Sequence, residues 1–215
     1  MTAIRLHSYF RSSTSVRVRV ALELKGLAYD YIAWNLRTNE QCSPDYLDIN
    51  PQGLVPAIEI DGQVLTQSLP IIEYLDERFP GSPLLPAESM ARARVRSLAA
   101  MVASDLHPLN NLRVLRYLEA QFGADMAAQT LWFRHWAKAT LDPLEMLLAH
   151  STQTGRFCHG DEPSMADICL FAQLLNNRRF DIDNAAWPTL ARIHAACVAD
   201  PAFVKAMPEQ QIDAA

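Results

Sequence analysis

The chain has 215 residues, a length that fits one large domain or two small ones. Half of the residues are hydrophobic and 20% are charged, a globular composition that excludes a disordered or collagen-like chain. The formal net charge of −5 argues against nucleic acid as a partner, because a polyanion selects basic surfaces.

Signals for membrane insertion, metal binding and secretion are missing from the sequence. The longest run without a charged residue covers only residues 62–72, whereas a membrane-spanning helix needs about 20 residues. The four cysteines form no CxxC pair or disulfide framework, and the six histidines show no HxxxH spacing. The N-terminal segment lacks the apolar core of a signal peptide. We therefore expect a cytoplasmic protein without a metal site or a membrane partner.

The N-terminal segment predicts a β-α-β unit. Apolar and polar residues alternate over Ile4–Ser8, which is typical of a strand. Hydroxyl side chains at positions 12–15 supply N-caps for a helix that ends near Lys25, where Gly26 suits the position after the C-cap. Residues 29–34 predict a second strand, after which Ser43-Pro44-Asp45 begins a short helix.

A hairpin unit follows. The β-rich runs Val55–Ile60 and Gln63–Thr66 flank Asp61-Gly62, a common hairpin turn. Ser68 is predicted to cap a helix that Pro80-Gly81 ends. The order β-α-β followed by β-β-α predicts a small mixed sheet with helices packed on it.

Beyond residue 80 the pattern is helical. Residues 81–87 have the composition of a linker, and residues 88–215 contain no convincing strand. Ser164 and Asp167 form a capping box in which Asp replaces Glu. The fold class is therefore an α/β unit followed by an all-α unit. The predicted helices cover 90–121, 124–150, a segment from 164 and 188–199, with a short turn and a tail from 201.

The segment Arg11–Ser15 is the first candidate site. It lies between the first predicted strand and the first helix and contains four consecutive hydroxyl side chains. A helix N-terminus presents unpaired N–H groups and about half a positive charge, so hydroxyls there can donate to an anion and a thiolate there is stabilised. Simple N-capping explains the same residues and is the commoner role on local sequence alone.

Two further candidates flank the hairpin. Val55-Pro56 opens a strand, and proline in strands is confined to edges, first positions and bulges. We expect an edge strand that Pro56 leaves open to an extended, peptide-like ligand, with an ordinary strand start as the alternative. Gln67-Ser68 stands at a helix start, where the pair would bind a carboxylate or Ser68 would simply cap.

Two candidates lie in the helical half. Asp105–Arg113 is a helix interrupted by Pro108, and its clustered His, Asn and Arg side chains suit a polar ligand unless the segment is a solvated kink. Arg178-Arg179 follows a strongly apolar helix. Paired arginines there would grip a carboxylate, whereas surface solubility is the commoner role.

These segments, in this order, resemble the glutathione transferase superfamily over essentially the whole chain. Arg11–Arg19 is similar to the zeta-class signature SSCxWRVR, with Thr14 where Cys is usual and Val16 where Trp is usual. Ser164 and Asp167 match the capping motif of its C-terminal domain. The superfamily's glutathione-binding elements are matched by Asn50-Pro51, Val55-Pro56 and Gln67-Ser68.

The resemblance implies a thioredoxin-like glutathione-binding domain at residues 1–80, a linker at 81–87 and an all-helical substrate-binding domain at 88–215. The zeta class includes maleylacetoacetate isomerase and the maleylpyruvate isomerases. The implied function is a glutathione-dependent cis–trans isomerisation of a maleyl ketoacid to its fumaryl isomer in aromatic catabolism, carried out by a homodimer. Arg11-Ser12-x-Thr14, His107–Asn111 and Arg178–Phe180 look closer to maleylpyruvate isomerase, and the choice between the two ketoacids stays open.

The resemblance also implies roles for single residues. Ser12, or its neighbours Ser13 and Thr14, would hold the sulfur of the cofactor glutathione as a thiolate that adds to the cis double bond. Arg11 and Arg179 would bind the two carboxylates of a small dicarboxylic ketoacid. The remaining contacts to glutathione and the lining of the site would come from Gln41, Val55, Pro56, Gln67, Ser68, His107, Asn111 and Arg113.

Two other functions remain open. A general transferase that conjugates electrophiles to glutathione would need an apolar pocket, and an arginine-rich pocket argues against it. A non-catalytic interaction module with the same fold would have no need for Ser12, Val55-Pro56 and Gln67-Ser68.

Overall fold

The computed structural model describes residues 3–214, which contain one four-stranded sheet in the order β2-β1-β3-β4. Strands β1 and β2 are parallel, and β1–β3 and β3–β4 are antiparallel. The predicted β-α-β and β-β-α order is therefore correct. The strands are β1 (Ile4–Ser8), β2 (Asp30–Ala33), β3 (Ala57–Ile60) and β4 (Gln63–Thr66).

The prediction that Pro56 opens an edge strand is wrong. Strand β3 is paired on both sides, because Ala57 lies opposite His7 of β1 and Thr66 of β4. Val55 and Pro56 precede the paired residues, so their backbone lies beyond the end of the ladder. The hairpin turn is as predicted, with positive φ angles of 50° at Asp61 and 75° at Gly62.

Helix α1 (Ser13–Leu24) is the central helix of the first unit. Ser12 is its N-cap and accepts a hydrogen bond from the Ser15 N–H. Nine of its twelve residues are buried, and these include Arg17 and Arg19. The same unit contains α2 (Pro44–Leu47) and α3 (Ser68–Arg78).

An ion pair joins the end of α1 to α3. The Lys25 Nζ lies 2.6 Å from the Asp76 Oδ1, and only 2% of the Lys25 side chain is exposed. The Asp76 carboxylate also accepts the backbone N–H groups of Leu84 and Leu85. These two hydrogen bonds therefore tie Leu84 and Leu85, which lie in the predicted linker, to the first unit.

The second unit is helical, and the long stretch predicted at 90–121 is broken near Pro108, as predicted, and also before it. A π-helical segment at Met101–Leu106 interrupts it, and a turn at Asn110 and Asn111 follows Pro108. Asp167 accepts the backbone N–H and the hydroxyl of Ser164, which confirms the acidic half of the capping box. The helices are α4 (Ser89–Ala100), α5 (His107–Leu109), α6 (Leu112–Phe122), α7 (Met126–Ala149), α8 (Met165–Asn177) and α9 (Pro188–Val198).

The division into units differs from the predicted one in the C-terminal segment. The first unit comprises the described residues up to Leu85 together with those from Val198 onward, and the second comprises Pro86–Cys197. The predicted turn and tail contain helix α10 (Pro201–Lys205), which packs on α1 with Phe203 fully buried. The sequence placed this segment in the helical domain because its apolar pattern does not indicate which helix it packs against.

Candidate functional site

Three hydroxyl groups stand at the start of α1, and the structure separates their roles. The Thr14 hydroxyl donates to the backbone carbonyl of Val55 at 2.9 Å. The Ser12 and Thr14 oxygens lie 2.8 Å apart, and because Thr14 has only one proton, Ser12 is the donor in that contact. Ser13 is buried. Of the pair Ser12 and Thr14, Ser12 is therefore the hydroxyl that can donate its proton to another acceptor without giving up a hydrogen bond donated to a backbone carbonyl.

The Val55–Pro56 segment is held from two sides. Its peptide bond is cis, and both residues are buried. The carbonyl of the preceding Leu54 accepts the Tyr46 hydroxyl at 2.6 Å and the Asn50 amide at 2.7 Å. Among the described residues the Val55 N–H has no hydrogen-bond partner. The segment thus presents a fixed backbone donor beside the hydroxyls of α1.

The pair Gln67-Ser68 begins α3, but the cap is Gln67 rather than Ser68. Gln67 has a φ of 69°, and its side-chain amide donates to Gln52 at 2.8 Å. Ser68 is the first helical residue, and its hydroxyl accepts from Arg17 at 3.3 Å. Because Arg17 is only 1% exposed, its charge is held inside the protein beside the N-terminus of α3. A helix N-terminus with a buried cation beside it favours an anionic group.

Two more predicted residues of the first unit differ in their exposure. Gln41 lies in a short 3₁₀ helix and is 8% exposed, and its side-chain carbonyl has no hydrogen-bond partner among the described residues. A buried polar atom of this kind is costly unless a ligand satisfies it. Arg11 is partly exposed, with its guanidinium 5.9 Å from the centre of the Phe10 ring. In residues 3–214, no carboxylate pairs with it.

Predicted residues of the second unit gather around the break before α6. Asn111 caps α6 through the Arg113 N–H, and its side-chain amide donates to His107 Nε2 at 3.3 Å. This bond requires the proton of a neutral His107 to lie on Nδ1. Arg113 is exposed. The break in the helix therefore brings the side chains of His107 and Asn111 into contact, and the role of Arg113 at this site stays a prediction.

Arg179 lies in the 3₁₀ turn that follows α8. Its guanidinium donates to Asn176 at 3.2 Å and lies 5.8 Å from the centre of the Phe180 ring. Phe180 is stacked on Phe133 with ring centres 3.7 Å apart, so the base of the turn is rigid. Arg179 is exposed, which is compatible with a ligand-binding arginine and with a surface charge.

Tyr46 and the roles of Asn50 and Arg17 were not predicted from the sequence. Burial raises the pKa of Tyr46, so its hydroxyl stays protonated and remains a donor to Leu54. No local pattern marks this tyrosine. Arg17 did carry a signal, because Arg17 and Arg19 alternate with valines in a helix that is otherwise largely apolar after Ser15, and a buried charge requires a partner.

Neither a metal centre nor a membrane span is found in the part of the chain that the structure describes. No three His, Cys, Asp or Glu side chains in residues 3–214 are grouped as metal ligands. Over the same residues, no helix combines the length and the apolar composition needed to cross a membrane.

Comparison with known proteins places this geometry in context. The family model for the glutathione S-transferase N-terminal domain matches residues 11–78. The chain is 44% identical to a maleylpyruvate isomerase of Ralstonia sp., covering 99% of this chain and all of the relative. It is 46% identical to a maleylacetoacetate isomerase of Rhizobium meliloti, covering 95% and 96%. A crystal structure of maleylacetoacetate isomerase from Methylobacterium extorquens with bound malonate and glutathione superposes with a TM-score of 0.95, at 43% identity and 98% and 99% coverage.

Proposed function

This chain belongs to the zeta-class glutathione transferase family, and we propose that it is a glutathione-dependent cis–trans isomerase of a maleyl ketoacid. The substrate is maleylpyruvate or maleylacetoacetate, since relatives named for each are of similar identity. The observation that carries the proposal is the Ser12 hydroxyl at the N-terminus of α1, free to turn to a sulfur beside the fixed backbone of Val55. The predicted fold, a thioredoxin-like half followed by a helical half, is confirmed.

The first unit fits glutathione as a tripeptide thiol. We infer that the Val55 N–H pairs with its cysteinyl backbone, in line with the absence of a described partner for that group. Gln67 and Ser68 bind its γ-glutamyl end, where the buried Arg17 adds positive charge. The unsatisfied carbonyl of Gln41 accepts one of its N–H groups. Glutathione, when bound, supplies the thiolate that adds reversibly to the double bond and so allows rotation about a single bond.

Ser12 keeps the sulfur deprotonated in this proposal. Its hydroxyl leaves Thr14 and donates to the sulfur, and the N-terminus of α1 adds a favourable interaction of about 1 kcal/mol, nearly one pKa unit of the thiol. Thr14 keeps its own bond to Val55.

The substrate carries a carboxylate at each end, and a partly desolvated carboxylate without a cation is costly. We propose that Arg11, which precedes Ser12, binds one carboxylate, and that Arg179 of the second unit binds the other. His107, Asn111 and Arg113 line the rest of the site. These assignments make the first unit the glutathione-binding part and the second unit the substrate-binding part, in a protein that acts as a homodimer.

One assay separates the proposal from its alternatives. The protein is incubated with glutathione and maleylpyruvate or maleylacetoacetate, while the fumaryl product and the free thiol are both measured. Isomerisation without net loss of thiol is expected. Consumption of thiol would indicate a conjugating transferase, and the absence of both reactions would indicate an interaction module. Sedimentation of the same sample tests the homodimer.

The arginine roles are tested by replacement with methionine. Arg11→Met and Arg179→Met should each lower kcat/KM by a factor corresponding to about 1.5–3 kcal/mol, the value of a hydrogen bond to a charged group. Arg178→Met is the matched control, because Arg178 is the exposed neighbour of Arg179 and is not one of the two arginines proposed to bind a carboxylate. Glutathione affinity should not change. If Arg179→Met and Arg178→Met have the same kcat/KM, Arg179 is a surface charge without a role in substrate binding.

A further inference from the structure

The loop that delivers Arg11 and Ser12 is held by side chains rather than by secondary structure. It connects β1 to α1 and begins at Tyr9. The Phe10 N–H donates to the Asp213 Oδ2 at 3.0 Å, and the Phe10 carbonyl accepts from the Arg19 Nη2 at 2.9 Å. Both peptide groups of Phe10 are therefore bound to charged groups of opposite sign. The residue directly before Arg11 has no freedom to turn while these bonds last.

Arg19 reaches this loop from inside α1. Its side chain is fully buried and donates to the Ser8 hydroxyl, the Phe10 carbonyl and, through Nε, the Ala206 carbonyl at 3.0 Å. One guanidinium therefore ties the active-site loop to the C-terminal segment. Burial lowers the pKa of Arg19, and the nearby Asp213 is the carboxylate that opposes this effect.

The C-terminal segment is anchored at two points. Ala206 and Phe203 are fully buried at the first point, where α10 packs on α1. At the second point the Asp213 carboxylate accepts the Tyr31 hydroxyl at 2.8 Å as well as the Phe10 N–H. Between these points the segment borders a cavity of about 520 Å³ and carries Ile212, which is 79% exposed. The return of the chain to the loop therefore depends on Asp213.

We propose that Asp213 is a positioning residue of the active site, which acts with Arg19 to fix the Phe10 peptide groups and thereby the placement of Arg11 and Ser12. The inference rests on the proposed function, because Asp213 would act only through the placement of Arg11 and Ser12 and has no chemistry of its own. The glutathione contacts at Val55 and Ser68 are held by other groups, Thr14 and Arg17. Loss of Asp213 should therefore impair turnover and leave glutathione affinity in place.

The first test measures amide hydrogen exchange in the full chain, which needs no assumption about activity. In Asp213→Ala the Phe10 amide should exchange about tenfold faster or more, since a bond to a charged acceptor is lost. The Ile58 amide in β3 should not change. Asp213→Asn keeps an oxygen that can accept from Phe10, so it should restore most of the protection. Glu209→Ala is the matched control, because Glu209 is an exposed acidic residue of the same segment.

The second test measures kinetics in the same variants. Asp213→Ala should lower kcat about tenfold and change the glutathione dissociation constant by less than about twofold, with recovery in Asp213→Asn. Unchanged exchange at Phe10, or equal acceleration at Phe10 and Ile58, would overturn the proposal, as would a normal kcat. If the wild-type protein has no isomerase activity, the proposed function fails, and exchange at Phe10 alone decides the role of Asp213.

A third variant covers the case in which Asp213→Ala does not fold. Tyr31→Phe removes one of the two hydrogen bonds that orient the carboxylate and leaves the carboxylate in place. In this variant the exchange rate of the Phe10 amide should rise relative to the wild type, and it should rise by a larger factor than that of the Ile58 amide. Phe10 exchange equal to that of the wild type in this variant would then overturn the proposal.

Discussion

Replacing Ser12 with alanine tests the most specific assignment in the site. The substitution removes two hydrogen bonds of one hydroxyl. The first is the bond that Ser12 donates to Thr14, or to the sulfur when glutathione is bound, and the second is the bond that Ser12 accepts from the Ser15 N–H. The first bond belongs to the chemistry, and the second belongs to the cap of α1. Because the two losses appear in different measurements, one variant reports on both.

The expected magnitudes follow from these contacts. A hydrogen bond to a charged sulfur contributes about 1.5–3 kcal/mol, which corresponds to a rise of about one to two units in the thiol pKa of bound glutathione. The cap bond is long, at 3.3 Å, so its loss should cost about 0.5–1 kcal/mol of unfolding free energy, the low end for a serine cap. Turnover near neutral pH should therefore fall by about tenfold to a hundredfold, while glutathione affinity changes little.

The assay follows the ultraviolet absorbance of the thiolate in the glutathione complex as a function of pH. Thr14→Val is the matched control, since it removes the bond to Val55 and the acceptor of Ser12 but leaves the Ser12 donor intact. The thiol pKa of glutathione bound to Thr14→Val should shift less than that of glutathione bound to Ser12→Ala. An unchanged thiol pKa in Ser12→Ala would refute the reasoning and move the role to Ser13 or Thr14.

Two further predictions concern stability. Lys25→Met leaves the Asp76 carboxylate, which is only 11% exposed, without its cation and should lower the unfolding free energy by about 3–5 kcal/mol in urea, whereas Lys138→Met, in a pair with a 72% exposed lysine, should cost at most about 1 kcal/mol. Burial, with a smaller contribution from Arg178, lowers the pKa of His194 from 6.5 to about 4. The unfolded state therefore binds more protons than the folded state between pH 6.5 and 4, so the unfolding free energy of the wild type should fall as the pH is lowered through that window. In urea titrations, His194→Gln should lack the part of this pH dependence that His194 contributes.

The order of elements in the first unit could be predicted because its signals are local. Strand alternation at Ile4–Ser8, the Ser12 cap and the Asp61-Gly62 turn each act within a few residues, and the structure confirms all three. The position of β3 within the sheet could not be predicted in this way. Strand order depends on pairing with β1, about fifty residues away, and a proline before the first paired residue is compatible with a central strand as well as an edge.

In the helical part, the π-helical segment and the position of the C-terminal segment were not predicted, for a different reason. The stretch at 90–121 has continuous helical periodicity, but Pro108 and the asparagines after it break the hydrogen-bond ladder, and the helix adapts through a π-helical segment. The segment from Val198 was assigned to the helical domain because its composition is helical. The packing of α10 on α1 and the hydrogen bond from Arg19 to Ala206 both hold it in the first unit, and a sequence cannot show which carbonyl a buried arginine will bind.

The hydroxyl assignment shows what long-range contacts add to a motif. Ser12, Ser13 and Thr14 are equivalent in the sequence, since each offers one O–H at the same helix start. The equivalence is broken by the carbonyl of Val55, 41 residues beyond Thr14, because a carbonyl can only accept and so fixes the direction of both protons. A sulfur that arrives at Ser12 replaces one acceptor by another and leaves the Thr14 bond intact. The site can therefore bind an anion without leaving any donor of this pair unsatisfied, which is the condition for a stable thiolate in a partly buried site.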